Sequence, residues 1–408
     1  MIAFIQHIRY FCILIISFAS VIAVYLITEE KRFSFWHFVA AIPIGLSPYF
    51  LECLSYKYDS PYMALSVLFS VVPLLLCKGN QIVYFLSIVL CTIGMCTSYQ
   101  ASAGIFPMLV VVMGIRNWIR GEKTGLTLRF YGISAAGYLV GLLLFRKLFM
   151  YQLIAYASTE MVPLSELIPS AIFTYKRYIV HFLEGFKPEW LVVSFLICVS
   201  FLWRAVSGSK HNKVLTLVLV SAAMVVMFLL SFGVYPFLEE AIFYPRAMYG
   251  IGCFIAFQGI FASTETSKGY GSKILCLMLG WAFFVFAFTY GNALNVQAEY
   301  TDFRNTEVID DLALCSELEG GEEVTLQITG SIGYAPAVES MITDFPMIER
   351  LIPVTLKGDG WWGEFGLRYY YDLPKFQFAD TYDPPEGDFT MVAENIWEKE
   401  NYIWIDLH

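Results

Sequence analysis

The sequence predicts a polytopic α-helical membrane protein of about ten spans that carries a small α/β domain at its C-terminus. Three observations lead there. Only 15% of the residues are charged and 58% are hydrophobic, with mean hydropathy +0.61, whereas soluble domains carry about 25% charged residues. The apolar residues fall in blocks long enough for helices across a hydrocarbon core, which takes about 20 residues each. The charge is also split: of the 35 acidic and 26 basic residues, positions 291–408 hold 23 acids and 6 bases. The net charge of −9 therefore conceals a basic membrane part joined to an acidic tail. The expected division is a transmembrane helical domain over 1–290 and an acidic extracytoplasmic C-terminal domain over 291–408. This balance excludes an ordinary soluble enzyme. It also argues against a nucleic-acid partner, because phosphate backbones need clustered Lys and Arg.

Hydropathy predicts spans near 8–27, 35–51, 61–76, 82–96, 103–115, 128–149, 191–206, 214–235, 247–261 and 274–290, the third to fifth being short and crowded. Positive residues set their direction. Lys31 and Arg32, then Arg116, Arg120, Lys123 and Arg129, then Arg204, Lys210 and Lys213, then Lys268 and Lys273 all fall in loops on one face, expected to be cytoplasmic. The other face receives the loops 52–60, 97–102, 150–190 and 237–246 and the acidic tail. The N-terminus then starts outside. An upstream helix would repair this, so a complete relative is expected to carry one more span and one more outer loop; a plain ten-helix chain is the alternative.

The tail has the marks of an ordered domain. Apolar or aromatic runs at 324–328, 345–351, 365–371 and 402–407 are punctuated by turn residues such as Gly320-Gly321 and Pro384-Pro385. There is no Gly-rich phosphate loop and no internal repeat. The nine cysteines form no CxxC pair, and the five histidines lack ligand spacing. Neither a metal site nor any other cofactor is called for.

Four outer-face features have the residue types for chemistry. In the run 47–61, Glu52 and Asp59 lie among Tyr56 and Tyr58 where a helix leaves the membrane. Interfacial carboxylates are costly unless solvated, paired or used. The pair reads as a general base and an acceptor-orienting acid beside sugar-stacking rings, or as a solvated loop with a tyrosine belt. Arg246, in Phe243-Tyr244-Pro245-Arg246, suits a bidentate lipid phosphate or simple snorkelling. Lys176 and Arg177, within Thr174–Tyr178 near His181, belong to an amphipathic segment suited to the interface and to an anionic lipid. Trp361 and Trp362, followed by Arg368 and Tyr369–Tyr371, suit carbohydrate stacking or burial in a domain core.

With these residues in view, the sequence resembles the bacterial Gtr (type II) glucosyltransferases that modify O-antigen. The resemblance is carried by Leu54-Ser55-Tyr56-Lys57-Tyr58-Asp59-Ser60-Pro61-Tyr62-Met63-Ala64-Leu65-Ser66, by Thr97-Ser98-Tyr99-Gln100-Ala101-Ser102 and by Phe106-Pro107. The multi-span layout with an outer C-terminal domain fits as well. The resemblance implies a membrane-embedded glycosyltransferase of GT-C architecture. Its donor would be undecaprenyl-phosphate glucose. Its acceptor would be a lipid-linked O-antigen or another surface glycan, met at the outer face of the bacterial cytoplasmic membrane. Asp59 would be the base, with Glu52 second. Arg246, Lys176 and Arg177 would hold the donor phosphate. Tyr56, Tyr58, Tyr99, Gln100, Trp361 and Trp362 would contact sugar and acceptor. The GT-C base usually lies just after a first span, and this chain departs there by starting where a second span would begin. Two other readings stay open: a non-enzymatic transporter or flippase for lipid-linked glycans, and a truncated, inactive transferase.

Overall fold

A computed structural model describes residues 2–408 apart from 31, 151–159, 265–269, 316–323, 359–362, 364–365, 368–375 and 380–382. The chain divides into two compact units, Met1–Ala287 and Phe288–His408.

The first unit is helical. In order come α1 (Ile2–Thr28), α2 (Phe35–Leu46), α3 (Pro48–Ser55), α4 (Ser60–Val71) with a 3-10 extension Val72–Leu76, α5 (Gln81–Ser98) and α6 (Ile105–Ile119). They are followed by α7 (Thr124–Leu148), α8 (Leu167–Gly185), α9 (Pro188–Gly208), α10 (Lys213–Leu230) and α11 (Gly250–Ala262). A last long helix, α12 (Gly271–Leu312), contributes residues to both units. All ten apolar segments of the sequence are thus helical, but they are not equivalent. Among the described residues, seven helices are long and apolar enough to cross a membrane, or eight if the bent pair α2–α3 counts as one span. Ser60–Leu76 and Gly250–Ala262 are shorter. With the seven spans and the bent pair they make up the ten apolar segments, and length alone sets them apart. Every residue of α11 is buried in protein, and a helix apolar all round belongs in an interior.

The bend between α2 and α3 is written in the local sequence. Pro48 disfavours the helical conformation at the residue before it. Ser47 accordingly adopts φ −61°, ψ 147°, ends α2 and caps α3. Its hydroxyl accepts a hydrogen bond from the Phe50 N–H, and Pro48 at the first helical position loses no intrahelical donor. The two helices meet at 57°. Gly252 lets α11 pack on this elbow: a Cβ there would lie 2.4 Å from the Pro43 carbonyl oxygen and 2.5 Å from Ser47 Oγ. α8 is amphipathic, with Thr174 and Tyr178 turned inward and Ile168, Ile172, Phe173, Val180 and Leu183 exposed.

The two ends of α6 mark two different polar regions. Near its start lie Ser102 and its hydroxyl partner Tyr249. Near its end, roughly 20 Å away at 1.5 Å per residue, Arg116 and Arg120 both bind Glu29, which also takes Lys78 at 2.8 Å. The loops after α6 and α9 meet at this second end, where the Lys210 N–H donates to the Ile119 carbonyl.

The second unit holds a five-stranded mixed sheet in the order β2-β1-β5-β4-β3. β1 (Val324–Gly330) is parallel to both β2 (Phe376–Phe378) and β5 (Tyr402–Leu407). β5, β4 (Ile396–Lys399) and β3 (Thr390–Ala393) are antiparallel neighbours. In β5 the side chains alternate in burial, so that Ile403, Ile405 and Leu407 join Leu326, Ile396, Val308 and Leu312 in one core. The run 345–351 contributes the short helix α14 (Met347–Leu351), behind α13 (Pro336–Asp344). Most of 365–371 lies outside the described residues.

Candidate functional site

The break after Ser47 aims α3 toward the segment ahead of α11. Glu52, on α3, is 6% exposed. Its Oε1 accepts from Arg246 Nη1 at 2.6 Å, and its Oε2 accepts from the Arg246 backbone N–H at 2.6 Å. Arg246 sits in a 3-10 turn, Pro245–Ala247, whose conformation Pro245 presets. Burial works against the charge of Arg246. The Glu52 carboxylate outweighs it and holds the guanidinium pKa above its ordinary value. The guanidinium lies 4.3 Å from the Tyr244 ring centroid and 5.1 Å from that of Tyr56, an arrangement that favours a cation over aromatic faces. Burial pushes the Tyr56 phenol up, so it stays neutral and able to donate.

Tyr99 closes the other side. Its hydroxyl donates to the Arg246 carbonyl at 3.4 Å, and its ring stacks on Tyr249 at 6.1 Å. Tyr249 in turn is fixed from below by hydroxyls. It bonds Ser102 and lies 3.3 Å from Ser66, while Ser66 and Ser102 are 2.7 Å apart. Phe50 meets Tyr249 edge to face at 5.7 Å. Ser66 and Ser102 end two of the runs that carry the resemblance, but no role was read for them or for Tyr249. Small hydroxyl residues are ordinary in membrane helices, where they bond their own backbone or a neighbouring helix.

The predicted residues are distributed unevenly around this centre. Glu52, Arg246, Tyr56 and Tyr99 come together. Arg177 packs its guanidinium on the Phe243 ring at 4.0 Å, three residues before Arg246. Asp59 is exposed and caps the start of α4 without a side-chain capping bond. Tyr58 is 61% exposed. Gln100 is half-buried in the turn that precedes α6. Lys176 is exposed on the outward side of α8. Trp361 and Trp362 lie outside the described residues.

The arrangement leaves Arg246 half-used. Its Nη1 and backbone N–H face Glu52, while Nε and Nη2 make no hydrogen bond among the described residues. Two charge-bearing donors are therefore free for an oxyanion, on a side chain that is 25% exposed. No group of three or more His, Cys, Asp or Glu that could hold a metal occurs among the described residues.

Comparison with known proteins gives three findings. Residues 8–257 match the family model described as Glucosyl transferase GtrII. An uncharacterized 55.3 kDa protein in the gtrB 5′ region of Salmonella phage P22 is 22% identical over 392 residues, covering 91% of this chain and 79% of the relative. No solved structure matches.

Proposed function

The chain belongs to the glucosyl transferase GtrII family, and from that premise we propose that it moves a glucosyl group from a polyprenyl-phosphate donor to a lipid-linked O-antigen or another surface glycan. The reaction takes place at the outer face of the bacterial cytoplasmic membrane, with the C-terminal domain on that side. The observation that supports this reading is the Glu52–Arg246 pair with its two free guanidinium donors, set among aromatic rings.

In the proposed reaction, the acceptor hydroxyl loses its proton to the Asp59 carboxylate. Its oxygen bonds the anomeric carbon as the bond from that carbon to the phosphate oxygen breaks. The electron pair leaves with the lipid phosphate, whose growing charge meets Arg246 Nε and Nη2. Arg177 and Lys176 add positive charge nearby. Glu52 is the second choice of base. With both carboxylate oxygens engaged by Arg246, it serves better to hold that guanidinium in place. Tyr56, Tyr58, Tyr99, Gln100, Trp361 and Trp362 contact sugar and acceptor. Positioning and stabilisation of the leaving group carry most of the rate.

The test is incorporation of labelled glucose from undecaprenyl-phosphate glucose into surface polysaccharide, in membranes containing this chain. Label that depends on Arg246 supports the proposal. Absence of label from well-folded protein supplied with donor and acceptor overturns it.

A further inference from the structure

A second feature of the membrane unit lies at the far end of α6 from Tyr249. There a cleft of 310 Å³ opens between α5, α6 and α7. Its origin is in the packing of α5 on α7. Gly137 and Gly141 let the two helices approach closely: added Cβ atoms would lie 3.1 Å from Ile88 and 2.6 Å from Thr92. This is the spacing of small residues that lets membrane helices touch. Two turns earlier along α7, Phe130 stacks on Tyr84 at 6.4 Å. Rings replace glycines there, and a gap remains beside them.

The lining of this gap is amphipathic. Tyr84, Phe130 and Ile133 form the apolar floor, and Lys78, Glu122 and Arg129 form the rim. Buried Arg116 also reaches it. Behind the rim, the single Glu29 carboxylate is shared by Lys78, Arg116 and Arg120. With Arg129 added and Glu122 subtracted, two positive charges stand in excess. Arg129 is exposed and makes no hydrogen bond or ion pair among the described residues. The flanks of the cleft are lipid-facing in character: Ile82, Leu86 and Leu90 on α5 and Leu126, Leu139 and Leu143 on α7 are all exposed.

We propose that this cleft binds a phosphate oxyanion, carried by an anionic glycerophospholipid whose acyl chains run along α5 and α7. Excess charge at the rim recognises the phosphate. The apolar floor and flanks favour a lipid over a free anion, because inorganic phosphate has no use for them. Basic pockets between membrane helices take anionic headgroups on these grounds. The site lies at the end of the bundle opposite Glu52 and Arg246, so the bound lipid belongs to the other leaflet and is not the sugar donor.

The test uses the delipidated full-length protein, with native mass spectrometry counting bound dioleoylphosphatidylglycerol or dioleoylphosphatidylcholine. The anionic lipid should be retained about fivefold better, as expected for roughly one well-placed cation. Arg129→Gln should erase the preference, and Glu122→Gln, which removes a like charge, should increase it. Millimolar inorganic phosphate separates the two sources of the oxyanion. Failure to displace the lipid assigns the site to the headgroup, and displacement assigns it to free phosphate. Equal retention of both lipids, unchanged in Arg129→Gln and Glu122→Gln and insensitive to phosphate, overturns the proposal. A gain of affinity in Glu122→Gln cannot come from misfolding, so the outcome does not hang on a loss.

Discussion

Glu52 grips Arg246 at two points, through guanidinium Nη1 and through the backbone N–H, each at 2.6 Å. The double contact fixes both where the turn Pro245–Ala247 runs and where its charge points. Glu52→Ala would leave a mostly buried guanidinium without its counterion. Removing one partner of a buried pair costs about 3–5 kcal/mol, and the two free donors would lose their aim. The expected outcome is a lower melting temperature in detergent together with a loss of glucosyl transfer. An unchanged melting temperature would mean that the pair does not hold the turn.

Asp59 differs in its surroundings. It is exposed and makes no side-chain capping bond to α4, so little structure depends on it. Asp59→Asn should therefore remove glucosyl transfer, by the 10²- to 10⁴-fold roughly typical of a lost general base, while the melting temperature stays put. Wild-type transfer in this variant would take the base role away from Asp59 and return Glu52 to consideration.

Gly252 gives a packing prediction. Its missing Cβ makes room for the Pro43 carbonyl at 2.4 Å. A carbonyl oxygen in a fixed elbow cannot rotate aside as a side chain could. Gly252→Ala should cost about 1–3 kcal/mol by overpacking. It should weaken transfer too, because α11 follows directly on Arg246. Thermal unfolding and transfer assays on the same preparation check both parts.

At the other end of the bundle, Glu29 supplies a pH prediction. Burial pushes its pKa up, but the Lys78 hydrogen bond, the Arg116 charge and the Arg120 hydrogen bond outweigh burial and hold it below the ordinary carboxylate value. A depressed folded pKa means that the unfolded chain takes up the proton first as pH falls. The stabilisation is therefore complete above the ordinary carboxylate pKa and is lost as pH drops through the lower folded value. Glu29→Gln should lower stability at neutral pH and flatten this acid limb of the melting curve. A parallel limb in the variant would place the titration elsewhere.

Much of this was legible in the sequence. The ten apolar segments, the acidic ordered tail and the run around Tyr56–Pro61 each reflect local composition, and local composition is what a single sequence displays. Glu52 and Arg246 were each singled out for being charged at a membrane boundary. Their pairing was not legible, because 194 residues separate them and only the packing of α3 against the turn before α11 joins them. Gly250–Ala262 reads as apolar like the other segments, but its burial on every side was not legible, because burial in protein looks like burial in lipid when only side-chain type is read. The contacts of Ser66, Ser102 and Tyr249 were not legible, because only the packing of three elements brings the hydroxyls together. The short helix Met347–Leu351 was hidden by length, since five residues cannot show a helical period.

The separation between Glu52 and Arg246 also orders events during synthesis. At the 5–20 residues per second of translation, Arg246 emerges roughly 10–40 s after Glu52. For that interval α3 exists without its counterion, and an unpaired carboxylate resists the hydrocarbon interior. The elbow at Ser47-Pro48 needs no distant partner, so it can hold α3 at the aqueous boundary while seven further helices, α4 to α10, are made. The Glu52–Arg246 contact thus forms only once the turn ahead of α11 has been made.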